Sequence, residues 1–335
     1  EMGDREEPLR GASALIGVDQ ELQPALLELS EDSTHWQVLG PRRSGKTTLL
    51  RNLVLSLAER CSPEEVAFVL VDLMGEFVAH KGKMSLADLP HTLKAVGRSD
   101  ELPKLVESVE AFLAAAHAEP HPIIVVVIDG YDDGRDELAR PMDRLARLVR
   151  GRETCGLHFV VASREQIHGD TFYNQVRLAQ NAVALRSSDI LRDLGDASSA
   201  LSAGKQKMPT GRGYLVRQEQ AKLVQCAVPF DVAALEDADA KRAVADALDS
   251  WIGRVAQLWP APAAPIPGFA AVETSDEQPA EARAEANSAP SAMLTAISYG
   301  GVLPDDLDLE FDPEQFIMAT QEEAPPASIE PEGLT

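Results

Sequence analysis

The residues with the clearest chemical meaning run from Gly40 to Thr47 and fit G-x-x-x-x-G-K-[ST] at every fixed position. Gly40 and Gly45 permit backbone angles that other residues resist, so successive N–H groups can point at phosphate oxygens. In such a loop the lysine, Lys46, reaches the β- and γ-phosphates, and the hydroxyl of Thr47 binds Mg²⁺. The pattern therefore predicts an Mg²⁺ and ATP site. The predicted nucleotide contacts are Gly40, Pro41, Arg42, Arg43, Ser44, Gly45, Lys46, Thr47 and Thr48.

A second candidate, Asp129, closes the apolar run Ile123–Ile128. A strand that ends in aspartate is typical of the Walker B element, whose carboxylate contacts Mg²⁺ or its water shell. The alternative is an aspartate that only caps the following turn. Thr47 and Asp129 are therefore the predicted metal ligands. In many P-loop proteins that hydrolyse ATP, the residue after this aspartate is a glutamate that activates water, but this chain has Gly130 there. We expect ATP to bind and to be hydrolysed slowly.

Other charged residues are candidates for a catalytic role. Asp72 ends the apolar run Val66–Val71 and either positions water or metal or caps the strand end. Asp132 and Asp133 lie near Asp129 in sequence, but their reach is not fixed by the pattern. Arg164 belongs to a set that either includes an arginine finger for a neighbour's ATP or forms a solvated surface. The other members of that set are Arg147, Arg150 and Arg152.

The elements that must position these residues alternate between strands and helices. The strand Trp36–Leu39 runs into the glycine-rich loop, and leucines and a valine recur at helical spacing beyond it. Continuous apolar runs indicate strands buried on both faces of a parallel sheet, and helical patterns lie between them. The runs are Val66–Val71, Ile123–Ile128 and Leu157–Ala162, and the helices are Leu102–Ala116 and Glu137–Arg150. This alternation predicts an α/β doubly wound sheet.

Composition divides the chain into a loose segment 1–12, a domain 13–230, an amphipathic helix 231–260 and a tail 261–335. Eleven of the 22 prolines lie from Pro260 onward, and 15 acidic residues against one basic residue follow it, carrying −14 of the net −23. A segment so poor in apolar residues cannot offset its ordering entropy, so we expect it to be mostly disordered. One island, Leu307–Met318, is either a solvated acidic linker or a docking motif.

The bulk properties restrict the possible partners and compartments. An acidic balance repels bare nucleic acid unless a local basic patch intervenes. Three widely spaced cysteines with no CxxC pair fit a reduced compartment. No apolar run is long enough to span a bilayer, which favours a cytoplasmic segment. Glu1 precedes Met2, which indicates a fragment of a longer protein.

Taken together, these residues resemble the FtsK/SpoIIIE-type motor domains, and more narrowly the ATPase modules of the type VII secretion motor EccC. The resemblance covers about residues 10–260. Beside the phosphate loop, its motifs are Ala14–Asp19, Val71–Leu73, Gly156–Ser163 and Gly211–Val216 followed by Leu223–Gln225. The resemblance implies a RecA-like fold, bound ATP with Mg²⁺, and protein substrates rather than DNA. It also implies partner modules in tandem or in a ring such as a hexamer.

Two departures from the family pattern suit its later, degenerate modules. Asp129-Gly130 stands where translocases carry Asp-Glu, and Arg164 follows Ser163 where they carry Gln-Arg-Pro. The resemblance thus implies a nucleotide-binding module that serves exported proteins or their signal peptides, tethered to the membrane only through parts outside this segment. One alternative is a DNA translocase, which needs a basic pore loop that only Lys81, Lys83 and Arg98 could supply. The other is a substrate-docking module that does not hydrolyse ATP.

Overall fold

A ten-stranded sheet runs through the part of the chain that the computed structural model describes. That part comprises residues 12–30, 35–78, 83–115, 121–149, 156–186, 208–217, 220–228, 240–262 and 265–269. Most of the predicted tail lies outside the described part, including the island Leu307–Met318. Of the predicted loose segment 1–12, only residue 12 is described.

The strands are β1 (Ala12–Asp19), β2 (Pro24–Leu29), β3 (His35–Leu39), β4 (Val66–Asp72), β5 (Thr92–Val96), β6 (Ile123–Asp129), β7 (Leu157–Ser163), β8 (Ala182–Leu185), β9 (Arg212–Arg217) and β10 (Gln220–Cys226). The helices are α1 (Lys46–Arg60), α2 (Leu102–Ala115), α3 (Arg135–Val149), α4 (Thr171–Leu178) and α5 (Ala240–Leu258).

The sheet has a parallel part and an antiparallel flank, in the order β2-β1-β10-β9-β8-β3-β7-β6-β4-β5. Strands β8, β3, β7, β6, β4 and β5 pair in parallel. Strands β9, β10, β1 and β2 continue the sheet with antiparallel pairs. The prediction of a mainly parallel α/β sheet is confirmed. Because parallel strands end at the same edge, the residues after β3, β4, β6 and β7 meet there.

The buried strands explain why helices must cover both faces of the sheet. Every residue of β3, β4 and β7 is buried. Helices α2, α3 and α4 pack into one core with alternate residues of β4, β6 and β7. Helix α1 packs on the other side and contacts α5. The apolar face predicted from leucine spacing in α1 is buried, as expected for an amphipathic helix whose stripe meets a sheet.

Helix α5 is fastened to α1 by two tryptophan side chains. The indole Nε1 of Trp251 donates to Glu59 Oε2 over 3.0 Å, and that of Trp259 donates to the carbonyl oxygen of Ala58 over 2.8 Å. Burial raises the pKa of Glu59, and the hydrogen bond from Trp251 opposes this shift. The helix described here begins at Ala240, and residues 229–239 lie outside the described part. None of the described helices is long and apolar enough to cross a bilayer.

Packing continues past Pro260, where the composition changes. Ile266 and Phe269 are buried in the core that α2 shares. A Cβ at Gly268 would lie 2.1 Å from the carbonyl oxygen of Ser108, so only glycine lets the two backbones approach so closely. The folded body therefore includes residues 265–269. The sequence assigned them to the tail because two apolar side chains do not alter the average composition of so long a segment.

The anchoring role of Phe269 can be tested by truncating its side chain. Phe269 is 5% exposed, so Phe269→Ala should lower the free energy of unfolding by about 2–4 kcal/mol, from lost burial and a residual cavity. Denaturant unfolding measures this loss. Leu258→Ala is the matched control, because Leu258 is 52% exposed and its truncation should change stability little. Equal effects of the two variants would contradict the packing.

Candidate functional site

Close contacts and unusual backbone angles both restrict the loop between β3 and α1. A Cβ at Gly40 would lie 2.6 Å from the carbonyl oxygen of Leu185 and from Ser44 Oγ, so a side chain cannot fit there. Gly45, at the N-terminal end of α1, has φ 103°. Arg43 has φ 60°, a left-handed conformation that is unusual for a residue with a side chain. The glycines of the predicted motif thus stand where the chain path requires them.

The loop is held from outside by the turn before β9. The N–H of Gly211 donates to the carbonyl oxygen of Ser44 over 2.9 Å. The hydroxyl of Thr210 donates to the carbonyl oxygen of Arg43 over 3.4 Å. The motif Gly211–Val216 was singled out by resemblance only; the structure shows that its first residue fixes the phosphate loop. Sequence spacing could not reveal this contact between segments so far apart in the chain.

Lys46 lies over the loop, with its ammonium group turned to backbone oxygens. Its Nζ donates to the carbonyl oxygens of Gly40 over 2.7 Å and of Pro41 over 3.1 Å. Burial lowers the pKa of Lys46, while the carboxylates of Asp129 and Asp132 act in the opposite direction. The ammonium group is therefore positioned at the loop and lies within electrostatic reach of the end of β6.

The two predicted metal ligands meet directly. Thr47 Oγ1 donates to Asp129 Oδ2 over 2.7 Å, joining the start of α1 to the end of β6. Burial raises the pKa of Asp129; the hydrogen bond from Thr47 lowers it and the nearby charge of Asp72 raises it. A hydroxyl and a carboxylate oxygen side by side are hard ligands of the kind that Mg²⁺ prefers.

Protein oxygens alone do not complete a cation site here. In the described part of the chain, no three His, Cys, Asp or Glu side chains converge to hold a metal ion. Mg²⁺ is commonly held by one or two protein ligands together with substrate phosphates and waters. The pair Thr47 and Asp129 fits that mode, in which the nucleotide supplies the remaining oxygens.

Asp72 lies beside Asp129 in the register of β4 and β6, but its oxygens are engaged by the backbone. They accept hydrogen bonds from the N–H groups of Glu76 (3.1 Å), Phe77 (2.8 Å) and Val78 (2.8 Å). This geometry is that of the strand-end cap, the alternative that the sequence left open. Asp72 influences the site through its charge, which raises the pKa of Asp129.

Gly130 follows Asp129 in a left-handed conformation, with φ 67°. Its carbonyl oxygen accepts hydrogen bonds from the N–H groups of Asp133 (3.0 Å) and Gly134 (3.1 Å), which close a tight turn before α3. Residues with a Cβ resist this conformation, whereas glycine adopts it freely. The chain path at the end of β6 therefore favours glycine at the position after Asp129.

Arg164 pairs with the two aspartates of that turn. Its Nε lies 2.8 Å from Asp132 Oδ2, and its Nη2 contacts Asp133. Its backbone N–H donates to Asp132 Oδ1 over 3.2 Å. Arg42 of the phosphate loop lies 3.7 Å from Asp133 Oδ1. The sequence did not connect either arginine with these two aspartates. Of the other arginines in the predicted set, Arg147 lies exposed on α3, and Arg150 and Arg152 lie outside the described residues.

A buried polar network supports the turn that bears Arg164. Ser163 Oγ donates to the carbonyl oxygen of Glu165 over 2.8 Å and lies 3.0 Å from the hydroxyl of Tyr173. Burial raises the pKa of Tyr173 above its ordinary value. Asp170 caps α4 and also accepts from the hydroxyl of Tyr131. Sequence reasoning missed this network. Its one local signal was Asp170, an N-cap residue type just before α4.

Residues 10–119 match the model of the FtsK/SpoIIIE family. Among curated proteins, ESX secretion system protein EccC of Thermomonospora curvata is 24% identical over 236 residues, covering 65% of this chain and 17% of that protein. ESX-1 secretion system protein EccCb1 of Mycolicibacterium smegmatis is 32% identical over 142 residues, covering 42% and 22%. Type VII secretion system protein EssC of Staphylococcus aureus is 25% identical over 156 residues, covering 39% and 10%. The matches thus span about a fifth or less of each relative.

Solved structures show the same fold. The cytoplasmic domain of the Thermomonospora curvata type VII secretion ATPase EccC has a TM-score of 0.53 at 20% identity, covering 66% of this chain and 27% of that one. ATPases 2 and 3 of EssC from Geobacillus thermodenitrificans give 0.53 at 18% identity, covering 75% and 50%. The chain therefore contains an FtsK/SpoIIIE-family domain with a RecA-like P-loop ATPase fold, and its homologues are the EccC and EssC ATPases of type VII secretion systems.

Proposed function

We propose that this chain is an ATP-binding module of a type VII-like protein-secretion motor, in which Mg²⁺ and ATP bind at Gly40–Thr47 and hydrolysis is slow or regulated. The observation that carries the proposal is the hydrogen bond between Thr47 Oγ1 and Asp129 Oδ2 beside the phosphate loop. It brings a hydroxyl and a carboxylate together beside the phosphate loop, which supports Thr47 and Asp129 as the metal ligands. Homology to the EccC and EssC ATPases supports the motor assignment.

Each group in the site has a defined part in binding. The loop's N–H groups and the N-terminal end of α1 favour an anion, because the helix dipole places partial positive charge there. Lys46 exchanges its two backbone acceptors for phosphate oxygens. Thr47 and Asp129 would hold Mg²⁺, which neutralises part of the phosphate charge when bound. Binding of the cation also favours the ionised form of Asp129, which burial alone disfavours.

Slow hydrolysis follows from the carboxylates around the site. A general base must be free to accept a proton from water within hydrogen-bond reach. Gly130 has no side chain, and Asp72 accepts from three backbone N–H groups, so neither supplies that base. Nucleotide then acts mainly as a structural or regulatory ligand. Faster turnover would require a neighbouring module to rearrange or complete the site.

The partners follow from the relatives and from charge. One solved relative is Thermomonospora curvata EccC (ATPases 2 and 3) in complex with a signal sequence peptide. We infer exported proteins or their signal peptides as partners here, with other ATPase modules in tandem or in a ring. The net charge of −23 disfavours nucleic acid. The module, 13–230 with its helix 231–260, works in the cytoplasm, and membrane contact is made by parts outside this segment.

Removing either binding group should weaken the nucleotide complex. Lys46→Ala loses a charge-assisted phosphate contact and Thr47→Ala loses a metal ligand, and each loss should cost roughly 1.5–3 kcal/mol, or about ten- to a hundredfold in affinity. Titration with a fluorescent ATP analogue in the presence of Mg²⁺ measures this. Lys104→Ala on α2 is the charge-matched control. If both variants kept the parent affinity while remaining folded, the site would lie elsewhere.

Asp129→Asn should remove Mg²⁺-dependent nucleotide binding while it raises the thermal stability of the metal-free protein. Burial raises the pKa of Asp129, so its ionised form opposes folding: the stabilising contribution exists below the unfolded pKa and is lost as pH rises through the folded pKa. Thr47 can still donate to the amide oxygen. We therefore expect a higher melting temperature than the parent without metal at neutral pH, and no further rise with Mg²⁺ and ATP. In the parent, Mg²⁺-dependent binding should weaken as pH falls through that raised pKa.

Asp100→Asn, which removes one exposed carboxylate, is the control for that experiment, measured by the same thermal unfolding. A lower melting temperature for metal-free Asp129→Asn than for the parent would mean that the ionised carboxylate stabilises the fold, contrary to the burial argument.

Introducing a glutamate after Asp129 should not by itself make ATP hydrolysis fast. Gly130→Glu places a Cβ at φ 67°, which should cost about 1–2 kcal/mol of stability. Gly130→Asn should cost less, because asparagine tolerates this conformation. The parent should turn over far below the typical enzyme rate of about 10 s⁻¹, and Gly130→Glu should remain slow in the isolated chain. A fast parent, or a fast and fully stable Gly130→Glu, in a phosphate-release assay would refute this account of the turn.

A further inference from the structure

Four charged side chains form a cluster at the rim of the phosphate site. Asp132 and Asp133, here called the acidic pair, lie in the turn after β6 and are contacted by Arg164 and Arg42. Arg42 belongs to the phosphate loop. Arg164 follows β7, which pairs with both β3 and β6. Both arginines are thus carried by segments that border the nucleotide site.

The cluster lies within electrostatic reach of the group that meets the phosphates. The charges of Asp132, Arg164 and Arg42 all act on the ammonium group of Lys46. A phosphate held by Lys46 would therefore be repelled by Asp132 and attracted by the two arginines. Guanidinium groups bind carboxylate and phosphate oxygens through the same planar, often bidentate geometry. The acidic pair and a terminal phosphate are chemically equivalent partners for Arg164.

We propose that the acidic pair is an internal substitute for the terminal phosphate of the nucleotide: it holds Arg164 and Arg42 in the nucleotide-free site and yields Arg164 to the bound triphosphate. This inference rests on the proposed function, because it presupposes nucleotide at the phosphate loop. Asp132 and Asp133 then lower triphosphate affinity in two ways, by competing for Arg164 and by repelling the phosphate directly. A diphosphate, which lacks the terminal group, gains less from their removal.

The exposure of the pairs makes such an exchange feasible. The side chains of Arg164, Asp132 and Asp133 are 39%, 18% and 26% exposed. Solvent therefore screens these ion pairs, and partly exposed pairs hold only weakly. A terminal phosphate carries more charge than one carboxylate and lies in a site already lined with donors. The cluster is thus ordered enough to place Arg164 and weak enough to release it.

The test is the nucleotide affinity of Asp132→Asn/Asp133→Asn, with Mg²⁺ at fixed ionic strength. Fluorescence titration should show ATP binding about three- to tenfold tighter than in the parent, because Arg164 no longer has to leave the acidic pair. The gain is modest because partly exposed ion pairs each contribute little free energy. ADP affinity should change less. The control Asp100→Asn/Glu110→Gln removes the same charge from ion pairs with Arg98, after β5, and with Arg144, on α3, and should change neither affinity.

A second variant tests the transfer of Arg164 itself. Arg164→Gln should weaken ATP binding in the Asp132→Asn/Asp133→Asn background and remove the part of its gain that comes from competition for Arg164, because there the guanidinium serves only the phosphate. In the parent background the effect of Arg164→Gln should be smaller, because there the guanidinium must give up the acidic pair before it can bind the phosphate. Such coupling between variants is measured by a double-mutant cycle. If Arg164→Gln has the same effect in both backgrounds, the exchange does not occur.

Each remaining outcome decides between two failures. If the parent binds ATP but Asp132→Asn/Asp133→Asn binds it equally or more weakly, or gains equally for ADP, the acidic pair is not a phosphate substitute. If the parent itself does not bind ATP, the proposed function fails first. Thermal unfolding identifies a variant that does not fold, in which case Asp133→Asn alone, with its smaller change, is measured against Asp100→Asn.

Discussion

The hydrogen bond between Thr47 and Asp129 links the first turn of α1 to the end of the central strand β6. The link requires the loop to reverse the chain within a few residues of β3 and requires β6 to end level with that reversal. Parallel pairing through β7 sets this level, because β3 and β6 both pair with β7 in continuous register. The placement of Lys46, the charge on Asp129 and the turn at Gly130 all depend on this alignment.

Close backbone approach explains much of what the site can and cannot do. Gly40 and Gly45 allow the loop to pass beside β8 and enter α1, and the turn before β9 braces it from outside. Gly130 allows β6 to end in a tight turn, and that turn removes the side chain that would activate water. The same local constraint supports the proposal of nucleotide binding with slow hydrolysis, since the chain path and a general base would compete for one position.

The phosphate site carries cationic side chains although the chain as a whole is acidic. Lys46 donates to the backbone carbonyl oxygen of Gly40, and Arg42 and Arg164 contact carboxylates of the turn after β6. A triphosphate bound as we propose would replace existing interactions of Lys46 and Arg164 instead of meeting free charges. Net affinity is a difference between these contacts, which is why removing an anion near the site can strengthen the binding of another anion.

The sequence by itself determined the parallel α/β fold and the phosphate loop, and it singled out Thr47 and, at the end of a buried strand, Asp129. These follow from local patterns: continuous apolar runs, helical spacing and a motif whose residues are consecutive in the chain. Strand β5 is buried only at its two ends and β8 has only four residues, so neither carried a comparable signal.

Tertiary structure alone decided how separate segments meet. It placed Gly211 against the loop, gave the oxygens of Asp72 to the backbone, joined Arg164 to Asp132, and brought Phe269 into the core. Each of these contacts joins residues whose proximity depends on strand order or on chain reversal. Side-chain type states which partners a residue can accept, but only the folded chain determines which of them is within reach.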